Sequence, residues 1–132
     1  MIVVDASAAV ELVLRTQRAE RIAARVLDPG QQLHAPHLID VEVLQVLRRL
    51  VQSRDLGPQR AELALADFIQ LTIERHRHTA LLRRSWELRA SMSACDAVYV
   101  ALAEALAAPL LTCDERLARA HGHGAAIEVL PS

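Results

Sequence analysis

Short apolar runs alternate along this chain with longer stretches whose apolar positions recur every three or four residues. The opening "MIVV" is unbroken, the pattern of a strand buried on both faces. "SAAVELVLR" and "AERIAARVL" then carry helical spacing, and Asp28-Pro29-Gly30 ends the second. "QLHAP" reads as a short strand closed by Pro36. "HLIDVEVLQVLRRLVQS" is an amphipathic helix, with Ile39, Val43, Val46, Leu47, Leu50 and Val51 on one face and Gln45, Arg48, Arg49 and Gln52 on the other. Leu56-Gly57-Pro58 breaks the chain, and "QRAELALADFIQL" starts a helix behind the proline. "LTIERH" fits a strand or a loop. "TALLRRSWELRA" is helical, and Ser93 precedes the strongly apolar helix "ACDAVYVALAEALA". Pro109 leads into the strand "LLT", Asp114 opens the helix "ERLARAHG", and "AIEVL" is a last strand.

Strands alternating with helices predict an α/β fold with a parallel sheet and right-handed crossovers. Such sheets hold their ligands outside the carboxyl ends of the strands. Asp5 lies there, just past "IVV", and Asp114 lies there, just past "LLTC".

Composition narrows this picture. A chain of 132 residues suits one domain spanning 1–132, and a hydrophobic fraction of 52% suffices for a core. Phe68, Trp86 and Tyr99 are the only aromatics, so the core is aliphatic and base stacking is a poor main binding mode. The net charge of -1 confines any nucleic-acid contact to a local basic patch. Candidates are Arg48-Arg49, Arg83-Arg84 and Arg75-His76-Arg77, though each also reads as a solvated surface. All 15 basic residues are arginine, which excludes every mechanism that needs a lysine. Cys95 and Cys113 are expected to be free thiols in a reducing cytosol, small packing residues rather than zinc ligands. The six histidines match no metal-motif spacing and are expected at the surface. The longest apolar run is cut by Glu104 and Pro109, so no segment spans a membrane, and a cytoplasmic protein is expected.

Taken singly, three acids have plain explanations. Asp5 and Asp114 can cap the helices that follow them, and Asp96 stands at capping-box spacing from Ser93. Glu42 is different, because it sits inside a helix at the border of the apolar face, where desolvation is costly without a partner. Its plain reading is a border glutamate that reaches water or Arg49. Asp40, on the apolar side, is expected to serve the first turn of the helix. Together the four acids say more. Carboxylates near 4 Å apart repel by roughly 4 kcal/mol per pair at a surface-like dielectric, so a converged set calls for a cation. Oxygen ligands without clustered His or Cys suit magnesium or manganese, which polarise phosphoryl oxygens and acidify water.

"IVVDASA", "APHLIDVEVLQVL", "SACDAVYVALAEAL" and "LLTCDERL" together resemble the PIN-domain nucleases, and more narrowly the VapC toxins of bacterial toxin–antitoxin pairs. The resemblance covers essentially the whole chain. It implies a three-layer α/β/α fold and a metal-dependent endoribonuclease. Asp5, Asp96 and Asp114 would hold magnesium or manganese, with Glu42 as ligand or water-orienting base. Ser7 and Thr112 match hydroxyl residues that support the acids. Gln45 stands where the family often has asparagine. An RNA substrate, a small VapB-like antitoxin that blocks the site, and a homodimer built on the helices near residues 36–70 are implied in the same way.

Other readings meet obstacles. Phosphotransfer receiver domains and haloacid-dehalogenase-type phosphatases bring a lysine to the phosphoryl group, and none exists here. The second phosphatase aspartate is replaced by Ser7, and no Gly-x-x-x-x-Gly-Lys loop is present. A catalytically inactive fold kept as a partner-binding scaffold is the alternative from another class, and four intact acids weigh against it.

Overall fold

A computed structural model describes residues 1–130. Its elements follow in the order β1 (Ile2–Val4), α1 (Ala6–Val13), α2 (Ala19–Val26), β2 (Leu33–Pro36), α3 (Leu38–Gln52), α4 (Pro58–Gln70), β3 (Ile73–His76), a 3₁₀ turn (Thr79–Leu81), α5 (Leu82–Glu87), α6 (Ala94–Leu106), β4 (Leu110–Thr112), α7 (Glu115–Arg119) and β5 (Ile127–Val129). "LTIERH" thus resolves as a strand. The helix expected over 79–90 is shorter, a 3₁₀ turn running into α5. The helix expected over 115–122 stops at Arg119, ahead of Gly122 at φ +85°.

Among the described residues the strands form one wholly parallel sheet in the order β3-β2-β1-β4-β5. β1 is central, with Val3 opposite both His34 and Leu110. The chain first steps from β1 outward to β2 and β3, then returns across β1 to β4 and β5. Right-handed crossovers in opposite directions place their helices on opposite faces. One layer is therefore α1–α4 and the other α5–α7, giving the three-layer α/β/α arrangement. Both faces of the central strands are covered, which is why Ile2, Val3, Leu110 and Leu111 are all fully buried.

The order reverses between β1 and β4. Open α/β sheets part their loops at that switch point and leave a crevice at the carboxyl ends of the strands. Here the crevice is flanked by Asp5, which follows β1, and Asp114, which follows β4.

No helix among the described residues is long and apolar enough to cross a membrane.

Candidate active site

Asp5 is fixed before any ligand is considered. Its backbone N–H donates to Leu111 O at 3.2 Å, extending the β1–β4 ladder by one step. Its side chain caps α1 by accepting from the Ala8 N–H at 3.0 Å. The carboxylate also accepts from Ser7 Oγ at 2.6 Å and from Thr112 Oγ1 at 2.5 Å. Thr112 is fully buried, and its hydroxyl oxygen accepts in turn from the Asp114 N–H at 3.0 Å. Ser7 Oγ accepts from the Cys113 N–H at 2.9 Å. The ends of β1 and β4 are thus tied together by two hydroxyls. Capping and convergence are not alternatives at Asp5: the same carboxylate does both.

The other acids arrive on separate elements. Ser93 caps α6 by accepting from the Asp96 N–H at 3.2 Å, which sets Asp96 in the first turn. Glu42 projects from the second turn of α3. Asp114 caps α7 through the Arg116 N–H at 3.0 Å. Asp5, Glu42, Asp96 and Asp114 all line one cavity of about 330 Å³, together with Ser7 and Gln45. A larger groove, about 710 Å³, lies among α1, α2 and α4 and contains none of the four acids.

The electrostatics follow from this crowding. Burial pushes the Asp5 carboxyl up to about 6, against the opposing pull of its hydrogen bonds, and the Asp96 charge adds to the rise. Asp96 is raised by burial and then by the Asp114 charge. Glu42 is raised by burial and by the Asp96 charge, while the nearby Tyr99 hydroxyl lowers it. Among the described residues, neither Glu42 Oε1 nor Tyr99 Oη, both buried, has a well-formed hydrogen bond. Asp114 goes the other way: the Arg116 guanidinium holds it below the usual carboxylate range, with Nη2 at 2.7 Å from Oδ2. Three carboxyls in one cavity therefore resist ionisation, and among the described residues one of their buried oxygens, Glu42 Oε1, is without a well-formed hydrogen bond. A divalent cation relieves both conditions, and an all-oxygen donor set fits a hard ion of the magnesium or manganese type.

Several sequence expectations need correction. Arg75 and Arg84, proposed for phosphate contact, are held in structural pairs. Arg75 Nη2 lies 2.8 Å from Asp40 Oδ1, and Arg84 Nε lies 2.8 Å from Glu104 Oε1. Asp40 thus anchors β3 to α3 rather than serving only its own helix. Cys95, expected to be buried packing, is exposed, and Cys113 is partly buried. His34, expected at the surface, is 3% exposed and hydrogen-bonded to His76. Arg49, a candidate phosphate contact, lines the acidic cavity; Tyr99 and Arg116 line it too and were missed. Helical spacing was a usable signal for Tyr99, which stands three residues after Asp96 and so shares its face.

The PIN domain model matches residues 2–122. The chain is 41% identical to ribonuclease VapC12 of Mycobacterium tuberculosis over 130 residues, covering 98% of this chain and 99% of that protein. Two solved structures share the fold. One is Mycobacterium tuberculosis VapC20, a sarcin–ricin loop cleaving toxin, with TM-score 0.66, 19% identity, and coverage of 94% of this chain and 97% of that one. The other is VapBC2 from Rickettsia felis bound to a promoter DNA fragment, with TM-score 0.70, 15% identity, and coverage of 98% of both chains. The chain belongs to the PIN-domain family. Within that family it is a homologue of the mycobacterial VapC ribonuclease toxins.

Proposed function

We propose that Asp5, Glu42, Asp96 and Asp114 form the active site of a magnesium- or manganese-dependent endoribonuclease, acting as the toxin of a toxin–antitoxin pair. The observation that carries this reading is their convergence in one cavity from the ends of two strands and the N-terminal two turns of two helices, with three of the four carboxyls raised. Asp5, Asp96 and Asp114 would hold the ion. When bound, the ion polarises a phosphoryl oxygen and acidifies a water. The chain's residues do the rest. Ser7 and Thr112 fix the Asp5 carboxylate so that it does not rotate away. Glu42, raised by burial and close to Tyr99, is placed to accept a proton from the attacking water. Arg49 and Arg116 border the cavity as cations for the RNA phosphates on either side of the scissile bond. Hydrolysis leaves a 5′-phosphate and a 3′-hydroxyl.

VapC toxins pair with VapB antitoxins. An antitoxin arginine entering this cavity would neutralise the acids as a cation does, and its planar fork suits paired carboxylates. The exposed Val41, Leu44 and Leu63 on α3 and α4 offer an apolar face for a homodimer.

The test is cleavage of RNA by the purified chain with magnesium, with manganese, and with a chelator. Cleavage that needs the metal and disappears in Asp96→Asn supports the reading. Cleavage that persists in chelator, or in Asp96→Asn, overturns it.

A further inference from the structure

A second constellation lies away from the acidic cavity, on the other half of the sheet. β2 and β3 pair in parallel with His34 opposite Glu74 and Pro36 opposite His76. Side chains two apart on a strand share a face, and so do directly opposed residues on neighbouring strands. Glu74, His76 and His34 therefore project from one face. Arg75 projects from the other, where it meets Asp40 of α3 and the Phe68 ring of α4.

The three side chains are in reach of one another. His34 Nδ1 lies 2.8 Å from His76 Nε2 and 3.7 Å from Glu74 Oε2. One ligand atom from each residue falls within a common span of 4.8 Å. Zinc bonds to imidazole nitrogen and carboxylate oxygen at about 2.0–2.2 Å, so tetrahedral ligand atoms sit about 3.3 Å apart. The observed separations bracket that value, and side-chain movements of about half an ångström would meet it.

Protonation points the same way. Two imidazole nitrogens at hydrogen-bond distance need one proton between them. A cation can take the place of that proton and bind both lone pairs. Burial lowers the His34 pKa, which keeps its ring neutral, the form that binds metal. His34 is 3% exposed, and its other nitrogen, Nε2, is buried without a partner among the described residues. Glu74, by contrast, has a side chain 68% exposed. It can swing onto an ion that enters from solvent. Two imidazoles and one carboxylate select zinc-like borderline ions over magnesium.

We propose that His34, Glu74 and His76 form a zinc-binding site that clamps β3 onto β2, independent of the acidic cavity. β3 is an edge strand, with one row of backbone groups unpaired by the sheet. A cross-strand ion would pin its register. Three protein ligands leave a fourth position for water.

Zinc binding is measured by equilibrium dialysis in an Asp96→Asn background, which weakens the acidic site, with excess magnesium present. The site predicts one zinc per chain and a rise in melting temperature of about 5 °C at saturation. His76→Gln should weaken binding at least tenfold and remove the rise. Glu74→Gln, at an exposed position, should do so in smaller measure, and it decides the matter if His76→Gln does not fold. Cobalt in place of zinc should give tetrahedral visible absorption without sulfur-to-cobalt charge-transfer bands. The proposal is overturned if zinc is displaced by magnesium, if binding survives both substitutions, if thiolate bands appear, or if no stoichiometric zinc binds.

Discussion

The Thr112 hydroxyl donates to Asp5 Oδ2 at 2.5 Å, joining residues 107 positions apart at the switch point of the sheet. The same oxygen accepts from the Asp114 N–H. A fully buried side chain at the end of β4 therefore orients one acid and the backbone of another. Thr112→Val keeps the shape and removes both bonds. The change should cost about 1–3 kcal/mol in a denaturant melt, because a buried carboxylate and a backbone N–H lose partners. It should also move the acid limb of the pH–rate profile upward, since the Thr112 bond lowers the Asp5 pKa.

Asp5 sets a pH dependence of stability. Its carboxyl rises from 3.8 to about 6 on folding. Between those values the folded chain binds more protons than the unfolded one, so this group favours folding on acidification. The destabilisation builds as pH rises from about 3.8, levels off above about 6, and there amounts to on the order of 3 kcal/mol. In chelator, Asp5→Asn should therefore be more stable than the parent at pH 7.5. The gap should shrink towards pH 4. Urea melts at several pH values check both the sign and the window.

Added manganese should reverse that sign, because an ion held by carboxylates binds best when they are ionised. Its stabilising effect should be larger at pH 7.5 than at pH 5. Calorimetric melts with and without the ion read the difference, and an equal effect at both pH values would count against Asp5 as a ligand.

With Asp114 as a metal ligand, Arg116 would compete with the cation for its carboxylate. Its guanidinium contacts both carboxylate oxygens, yet its side chain is 79% exposed and free to leave. Arg116→Ala should tighten manganese binding several-fold in isothermal titration, since no ion pair has to be broken first. It should also raise KM for RNA, through loss of a phosphate contact.

Asp40 belongs to the scaffold. Asp40→Ala leaves Arg75 without its carboxylate between α3 and β3. Because the pair is partly exposed, the expected loss is about 1 kcal/mol in a thermal or urea melt. Metal affinity and cleavage should stay near the parent's values.

Much of this was legible in the sequence, for identifiable reasons. Strand ends that run straight into helices leave no loop to misplace, so Asp5 and Asp114 were fixed by chain order alone. Glu42 stood out because nothing in its own helix required it. What escaped depended on pairing across the sheet. His34 read as a surface histidine because its partners stand about forty residues away, and only the β2–β3 register brings Glu74 and His76 beside it. Arg75 and Arg84 read as exposed basic residues for the same reason, their carboxylates lying on other elements. The "RHRH" segment hides an alternation: Arg75 and His76 face opposite sides of a strand that helical or loop readings would not separate.

The central claim is that Asp5, Asp96 and Asp114 together hold a divalent ion. The most direct measurement is an anomalous difference map from crystals soaked in manganese. The account predicts a peak between the Asp5, Asp96 and Asp114 carboxylates that is absent from Asp96→Asn crystals. A cavity without a peak in the parent, or a peak unchanged by the substitution, would contradict it.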